Sequence, residues 1–201
     1  MIDSLFAACA FLCATSLLAL VAHRTKLGFT SPIMNVRTMA FVATVIAVIV
    51  VESRETIAAL PELTGLACAI VCTFTDLATG YVFDRVTMPA AAGAAIAATM
   101  CGHGVASIAG LACGYTTIGL LWLLTGRRGI GLGDAKLAAA LGAAGSAGEV
   151  LDVIGGAFVL GALFAVLGLA TGRLSRGSTV RFAPFLTAAF FVVITITRVQ
   201  P

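Results

Sequence analysis

Charge is what this chain has least of. Only 10% of its 201 residues are Asp, Glu, Lys or Arg, against roughly 25% in a soluble domain. The polar surface needed to face water on all sides is missing. With 60% hydrophobic residues and a mean hydropathy of +1.10, the chain reads as an integral membrane protein. It also lacks the short segments of alternating polarity that build a membrane β-barrel. Its apolar runs are continuous and rich in Ala, Leu, Val and Gly. In lipid such runs satisfy their backbone polar groups as helices. One Trp and two Tyr leave no aromatic platform beside the scattered basic residues, which excludes a nucleic-acid surface. There are two histidines, His23 and His103, and six cysteines with no C-x-x-C pair among them. Nothing resembles a metal-ligand set, and no G-x-S-x-G, H-E-x-x-H or phosphate-binding loop occurs. Neither a metal nor an organic cofactor is expected. Cys9/Cys13 and Cys68/Cys72 are spaced four apart inside apolar helices and read as small packing residues.

The apolar pattern predicts helices at 4–22, 38–53, 60–78, 87–101, 104–125, 134–147, 150–171 and 182–198. The expected fold is an all-α polytopic membrane protein of about eight transmembrane helices, a single membrane-embedded domain over residues 1–201. Segments 87–101 and 134–147 fall short of the roughly 17–25 residues of a span, so they are tilted, extended by their neighbours, or stopped inside a cavity. The start, with Asp3 and no basic residue before the first apolar run, reverses the charge order of a signal peptide. It reads as a first membrane helix. With eight crossings, ten of the twelve basic residues fall on one side and only Arg54 and Arg198 on the other. The positive-inside rule then puts loops 23–37, 79–86, 126–133 and 172–181 in the cytoplasm and both termini outside. Small residues such as Gly155, Gly156 and Gly161 are expected to allow close helix packing.

Two aspartates then stand at the cytoplasmic membrane boundary: Asp76, in CTFTDLATGYVFD, and Asp134, in GIGLGDAKLAAALG. An ionisable group at membrane depth costs a few kcal/mol by insertion scales, roughly, and marks a functional site by default. Asp134 has a plain structural explanation as an N-cap before the apolar run 137–144. Gly131 and Gly133, lacking Cβ atoms, also let backbone or a substrate strand approach its carboxylate. Asp76 is harder to explain structurally. With Gly80 as C-cap it lies in the last helical turn, where the dipole disfavours a carboxylate; reaching out to water is its plain explanation. Asp84, in the turn Phe83-Asp84-Arg85, reads as a solvated charge. Lys136 lies two residues after Asp134, off its helix face, and reads as a snorkelling cation.

These residues resemble the type IV prepilin peptidases, membrane aspartyl proteases with a G-x-G-D motif. The stretch Asp76-Leu-Ala-Thr-Gly-Tyr-Val-Phe-Asp84-Arg-Val-Thr-Met-Pro89 is similar to the family's first Asp, turn and Thr-x-Pro helix entry. Gly131-Leu-Gly-Asp134-Ala-Lys136-Leu-Ala-Ala-Ala-Leu-Gly142 is similar to its G-x-G-D-x-K-L-x-x-x-x-G. Arg181-Phe-Ala-Pro184-Phe-Leu resembles the stretch before its last helix. The chain departs from the pattern at Phe83, where the family has Pro. It departs again at loop 23–37, which is short and lacks the two C-x-x-C pairs of bifunctional members. The resemblance implies a small, peptidase-only form of the bacterial inner membrane, without methylation of the new amino terminus. It implies Asp76 and Asp134 as catalytic residues, with Gly131, Gly133, Lys136, Asp84 and Pro184 as substrate-binding or motif support. The implied partner is a prepilin or pseudopilin precursor with a short basic leader, of the kind that builds tight-adherence pili.

Two carboxyls sharing one proton are the minimal equipment for acid–base hydrolysis of a peptide bond. Rival readings use the same residues: a presenilin-type intramembrane protease, a proton-coupled transporter with the aspartates as relay, or a structural membrane subunit. The short Asp76–Asp84 loop and the G-D-x-K-L run favour the prepilin branch.

Overall fold

The computed structural model describes residues 58–199, apart from Arg128 and Arg176. The expected helices 4–22 and 38–53, and loop 23–37 between them, lie outside the described residues. The described residues form six α-helices and no strand: α1 (Leu60–Thr79), α2 (Asp84–Met100), α3 (Gly104–Leu124), α4 (Leu132–Ala144), α5 (Ala147–Ala170) and α6 (Ala183–Val199). Each falls on a segment read from the apolar pattern.

The boundaries follow local chemistry. α1 has Pro61 as its second residue, and the missing N–H costs nothing in the first turn. It stops at Gly80, which takes a left-handed φ of 77° and donates its N–H to the Asp76 carbonyl at 2.8 Å. α2 begins at Asp84, after extended Phe83, three residues earlier than expected, so Pro89 lies inside it rather than at its entry. α5 begins at Ala147 rather than 150, because Ser146 caps it by accepting the Glu149 N–H at 3.3 Å.

α1, α3 and α5 are long and apolar enough to cross a membrane, and α6 contains a shorter apolar stretch, Ala183–Thr197. α2 has 17 residues and α4 has 13. A helix the length of α4 rises only about 20 Å, less than the roughly 30 Å hydrocarbon core. It does not need that length, because it is enclosed. Ala135 and every residue from Leu137 to Ala144 are buried, and α4 packs against all five other helices.

Enclosure depends on small residues, because lipid offers no hydrophobic drive between helices and van der Waals fit must supply association. At the α3–α4 crossing Gly110 and Gly142 sit backbone to backbone; a Cβ on either would strike the other's carbonyl oxygen. The Ser107 hydroxyl adds a buried bond to the Ala143 carbonyl at 2.6 Å. α1 and α6 are joined by the Thr73 and Thr187 hydroxyls, 2.6 Å apart, and by Thr187 donating to the Ala69 carbonyl at 3.0 Å. Of the α5 glycines, Gly156 meets Ala189 and Gly161 meets Phe185 on α6, while Gly155 faces open space. The outer face of α5 shows Val159, Leu163, Phe164 and Val166 to the surroundings, as a lipid-facing helix does.

Successive helices run up and down, so the α1–α2, α3–α4 and α5–α6 connections share one end. Gly80, Arg127, Gly131 and Arg181 from those connections line one cavity, and His103, Gly145 and Ser146 line another at the opposite end.

Candidate active site

Asp76 is held in the last turn of α1 and is only 6% exposed, so it does not reach freely into water. Its Oδ1 lies 3.8 Å from Nη1 of Arg181, and the Ala183 backbone N–H at the start of α6 also acts on the carboxylate. Its Oδ2 is buried without a hydrogen-bond partner. The unfavourable dipole at the end of α1 is thus met by a guanidinium and by the positive end of a second helix.

Asp134 is the third residue of α4, not its cap. Gly131 is the cap residue, in extended conformation, and donates its N–H to Asp134 Oδ2 at 3.3 Å. The carboxylate reaches back across the first turn, as the acidic member of a capping box does. This corrects the N-cap reading: Leu132 and Gly133 are already helical, which moves the carboxyl a turn deeper into the bundle.

Asp76 and Asp134 line one cavity of about 580 Å³, and the Asp134 carboxyl feels the charge of Asp76. The cavity floor is polar and basic, with both carboxyls, Arg127 and Arg181. One wall is apolar and built from small residues of α5, including Gly161 and Ala162, beside the rings of Phe182 and Phe185. That is room for a water molecule and an extended peptide at the carboxyls, with an apolar surface alongside.

The other residues singled out by pattern divide. Gly131 lines the cavity. Gly133 does not; a Cβ there would come within 2.8 Å of the Val82 Cβ. Neither has a positive φ, so close approach and not backbone conformation is what each provides. Gly133 lets the turn after α1 seat against the start of α4, and so sets the two aspartate-bearing segments side by side. Asp84 and Lys136 are not independent solvated charges. The Lys136 Nζ donates to both oxygens of Asp84, at 2.6 and 2.7 Å, tying the start of α2 to α4. Pro184 sits in the first turn of α6, between the cavity-lining Phe182 and Phe185. Among the described residues no group of three or more His, Cys, Asp or Glu side chains is placed to hold a metal ion.

Sequence reasoning passed over two residues. Arg181 was visible as a cation at the start of a helix, where the dipole disfavours positive charge, and that misfit was the available signal. Arg127 takes a φ of 67°, rare for a side-chain-bearing residue, with its guanidinium 4.9 Å from the Trp122 ring centre. No sequence pattern announces that geometry.

A family model described as the type IV leader peptidase family matches residues 63–166. The match runs from α1 into α5 and takes in Asp76, Asp84, Gly131, Gly133, Asp134 and Lys136, while Arg181 and Pro184 lie beyond it. No curated protein and no solved structure matches the chain.

Proposed function

The chain belongs to the type IV leader peptidase family, and from that premise we propose that it is an aspartic endopeptidase that removes the short leader from prepilin-like precursors. The carrying observation is that Asp76 and Asp134, on separate helices, open into one cavity at one end of a membrane bundle. That end is the cytoplasmic face, in keeping with the ten-to-two partition of basic residues, and it is where a basic leader waits. Residues 1–201 act as one membrane-embedded unit of the bacterial inner membrane, with both termini outside.

In the reaction one carboxyl is ionised and the other protonated. The ionised carboxyl takes a proton from water as the water oxygen bonds to the scissile carbonyl carbon. The protonated carboxyl gives its proton to the carbonyl oxygen. When the tetrahedral intermediate collapses, the C–N bond breaks, the leaving amine takes a proton from the carboxyl that received one from water, and one hydroxyl of the intermediate gives its proton to the other carboxyl as the new C=O forms, which restores the pair. The apolar wall on α5 suits the hydrophobic helix that follows a pilin leader. No metal or organic cofactor enters this chemistry.

The test is co-expression with candidate prepilins, scored by gel shift and N-terminal sequencing of the product. Asp76→Asn and Asp134→Asn should each abolish processing, at least about 10³-fold, while the protein stays inserted. Near wild-type cleavage by either variant sinks the two-carboxylate mechanism. Transport of protons with no cleavage of any precursor would move the same residues to a relay.

A further inference from the structure

We propose that Arg181 is a positioning residue that breaks the symmetry of the two carboxyls: it holds Asp76 as the ionised base and leaves the shared proton on Asp134. The inference rests on the catalytic reading of the pair.

Three observations carry it. First, Arg181 is placed against one carboxyl only. Its Nη1 lies 3.8 Å from Asp76 Oδ1, whereas the Asp134 carboxyl accepts from the neutral Gly131 N–H. An adjacent cation favours the charged form of a carboxyl, and a neutral amide does so less. Second, the guanidinium packs directly over the end of α1. The guanidinium occupies the space that a Cβ on residue 80 would fill, so Gly80, which ends α1, also leaves room for the cation beside that helix's last turn. Third, Arg181 immediately precedes Phe182 and the start of α6, and the Ala183 N–H acts on the same carboxylate. A single short segment thus delivers a guanidinium and a helix N-terminus to Asp76.

The other charged or titratable groups facing Asp76 do not impose this asymmetry. Asp134 on α4 is the partner itself. Cys72, one turn back on α1, is a buried thiol whose Sγ lies 3.9 Å from that of Cys68. Arg127, in the α3–α4 connection, lines the same cavity, but its guanidinium stacks over Trp122. With the roles fixed in this way, water is activated on the Asp76 side and the scissile carbonyl oxygen points to Asp134.

The test uses the full chain in membranes, with Arg181→Gln, Arg181→Lys and Arg181→Met. Cleavage of a precursor is followed across pH. In parallel, the rate at which a carbodiimide modifies Asp76 is read by mass spectrometry without any precursor present. Arg181→Gln should lower kcat by at least about tenfold with KM changed less than about twofold, and should move the acid limb of the pH–rate profile to higher pH. Carbodiimide attacks the protonated carboxyl, so Asp76 modification at neutral pH should rise in the Gln variant. Arg181→Lys should restore the limb and keep Asp76 poorly modified, because it returns the charge. If the Gln variant is lost from the membrane, Arg181→Met, which keeps the apolar stem, answers the same question. An unmoved acid limb together with unchanged Asp76 modification in the Gln or Met variant overturns the proposal, and Arg181 is then only a tether for the α5–α6 segment. If the wild-type chain cuts no precursor, the proposed function falls separately, while the modification rates still decide whether Arg181 sets the charge on Asp76.

Discussion

α4 and α5 stand next to each other in sequence and answer to opposite demands. α5 has 24 residues, many large apolar side chains turned outward, and no residue proposed for the chemistry. α4 has 13 residues, almost all Ala, Gly or Leu, is surrounded on every side, and carries Asp134. Hydropathy finds α5 at once and hesitates over α4, because hydropathy scales measure the transfer of side chains into lipid. A helix enclosed by other helices is selected for thinness instead. Its neighbours come close enough to fix the position of a carboxyl at its first turn, and its own length is free to fall below a span. In this bundle one of the two carboxyls sits on a helix too short to span, and the other, Asp76, on a helix long enough to do so.

That contrast can be broken by putting the same side chain into both helices. Gly142→Val adds bulk where the Gly110 carbonyl already touches, and Gly155→Val adds it where nothing lies within 4 Å. Overpacking a tight crossing costs about 1–3 kcal/mol and sometimes more. Gly142→Val should therefore lose most of its folded protein, measured by detergent-solubilised yield and by thermal inactivation. Gly155→Val should match the wild type in both. Equal losses would mean that α4 is not the closely packed centre of the bundle.

Much of this was legible beforehand. All six described helices sit on segments read from apolar runs, and Gly80 declared the end of α1 correctly, because a helix stop near a glycine is a local event. Local chemistry also explains the misses. Ser146 capping through Glu149 starts α5 early, and Asp84 starts α2 before the Thr-x-Pro that marked its expected entry. A cap is a plain explanation for Asp134 in the sequence because the cap position and the third helical position both take Asp; only the backbone of Gly131 tells them apart. The meeting of Asp84 with Lys136 and of Arg181 with Asp76 joins residues remote in the chain. No spacing rule within one helix reaches such pairs.

A smaller effect separates positioning from packing at the head of α4. Gly133→Val would bring its Cβ to 2.8 Å from the Val82 Cβ in the α1–α2 turn, a milder overlap than the one a Cβ at Gly142 makes with the Gly110 carbonyl. Cleavage should fall several-fold, roughly, as the two aspartate-bearing segments separate, while protein level changes less than for Gly142→Val. The comparison is specific activity per inserted molecule. A Gly133→Val protein that is scarce but fully active per molecule would place that glycine with the packing residues.

The smallest expected effect is at the Asp84–Lys136 pair. Its geometry is good, with one ammonium bonded to both carboxylate oxygens, but the Asp84 side chain is 59% exposed and Lys136 is 21% exposed. Water screens such a pair, and exposed ion pairs contribute about 0–1 kcal/mol. Neither residue lines the cavity that holds the aspartates. Asp84→Ala and Lys136→Ala should each reduce activity only about twofold to threefold. The double variant should be no worse than either single one, because the second change removes a partner already lost. A double-mutant cycle on specific activity in membranes reads this directly. Additive losses would show that the two residues act separately. A dead Asp84→Ala enzyme with an intact Lys136→Ala would place Asp84 in contact with substrate, and would extend the active site beyond α4 to the start of α2.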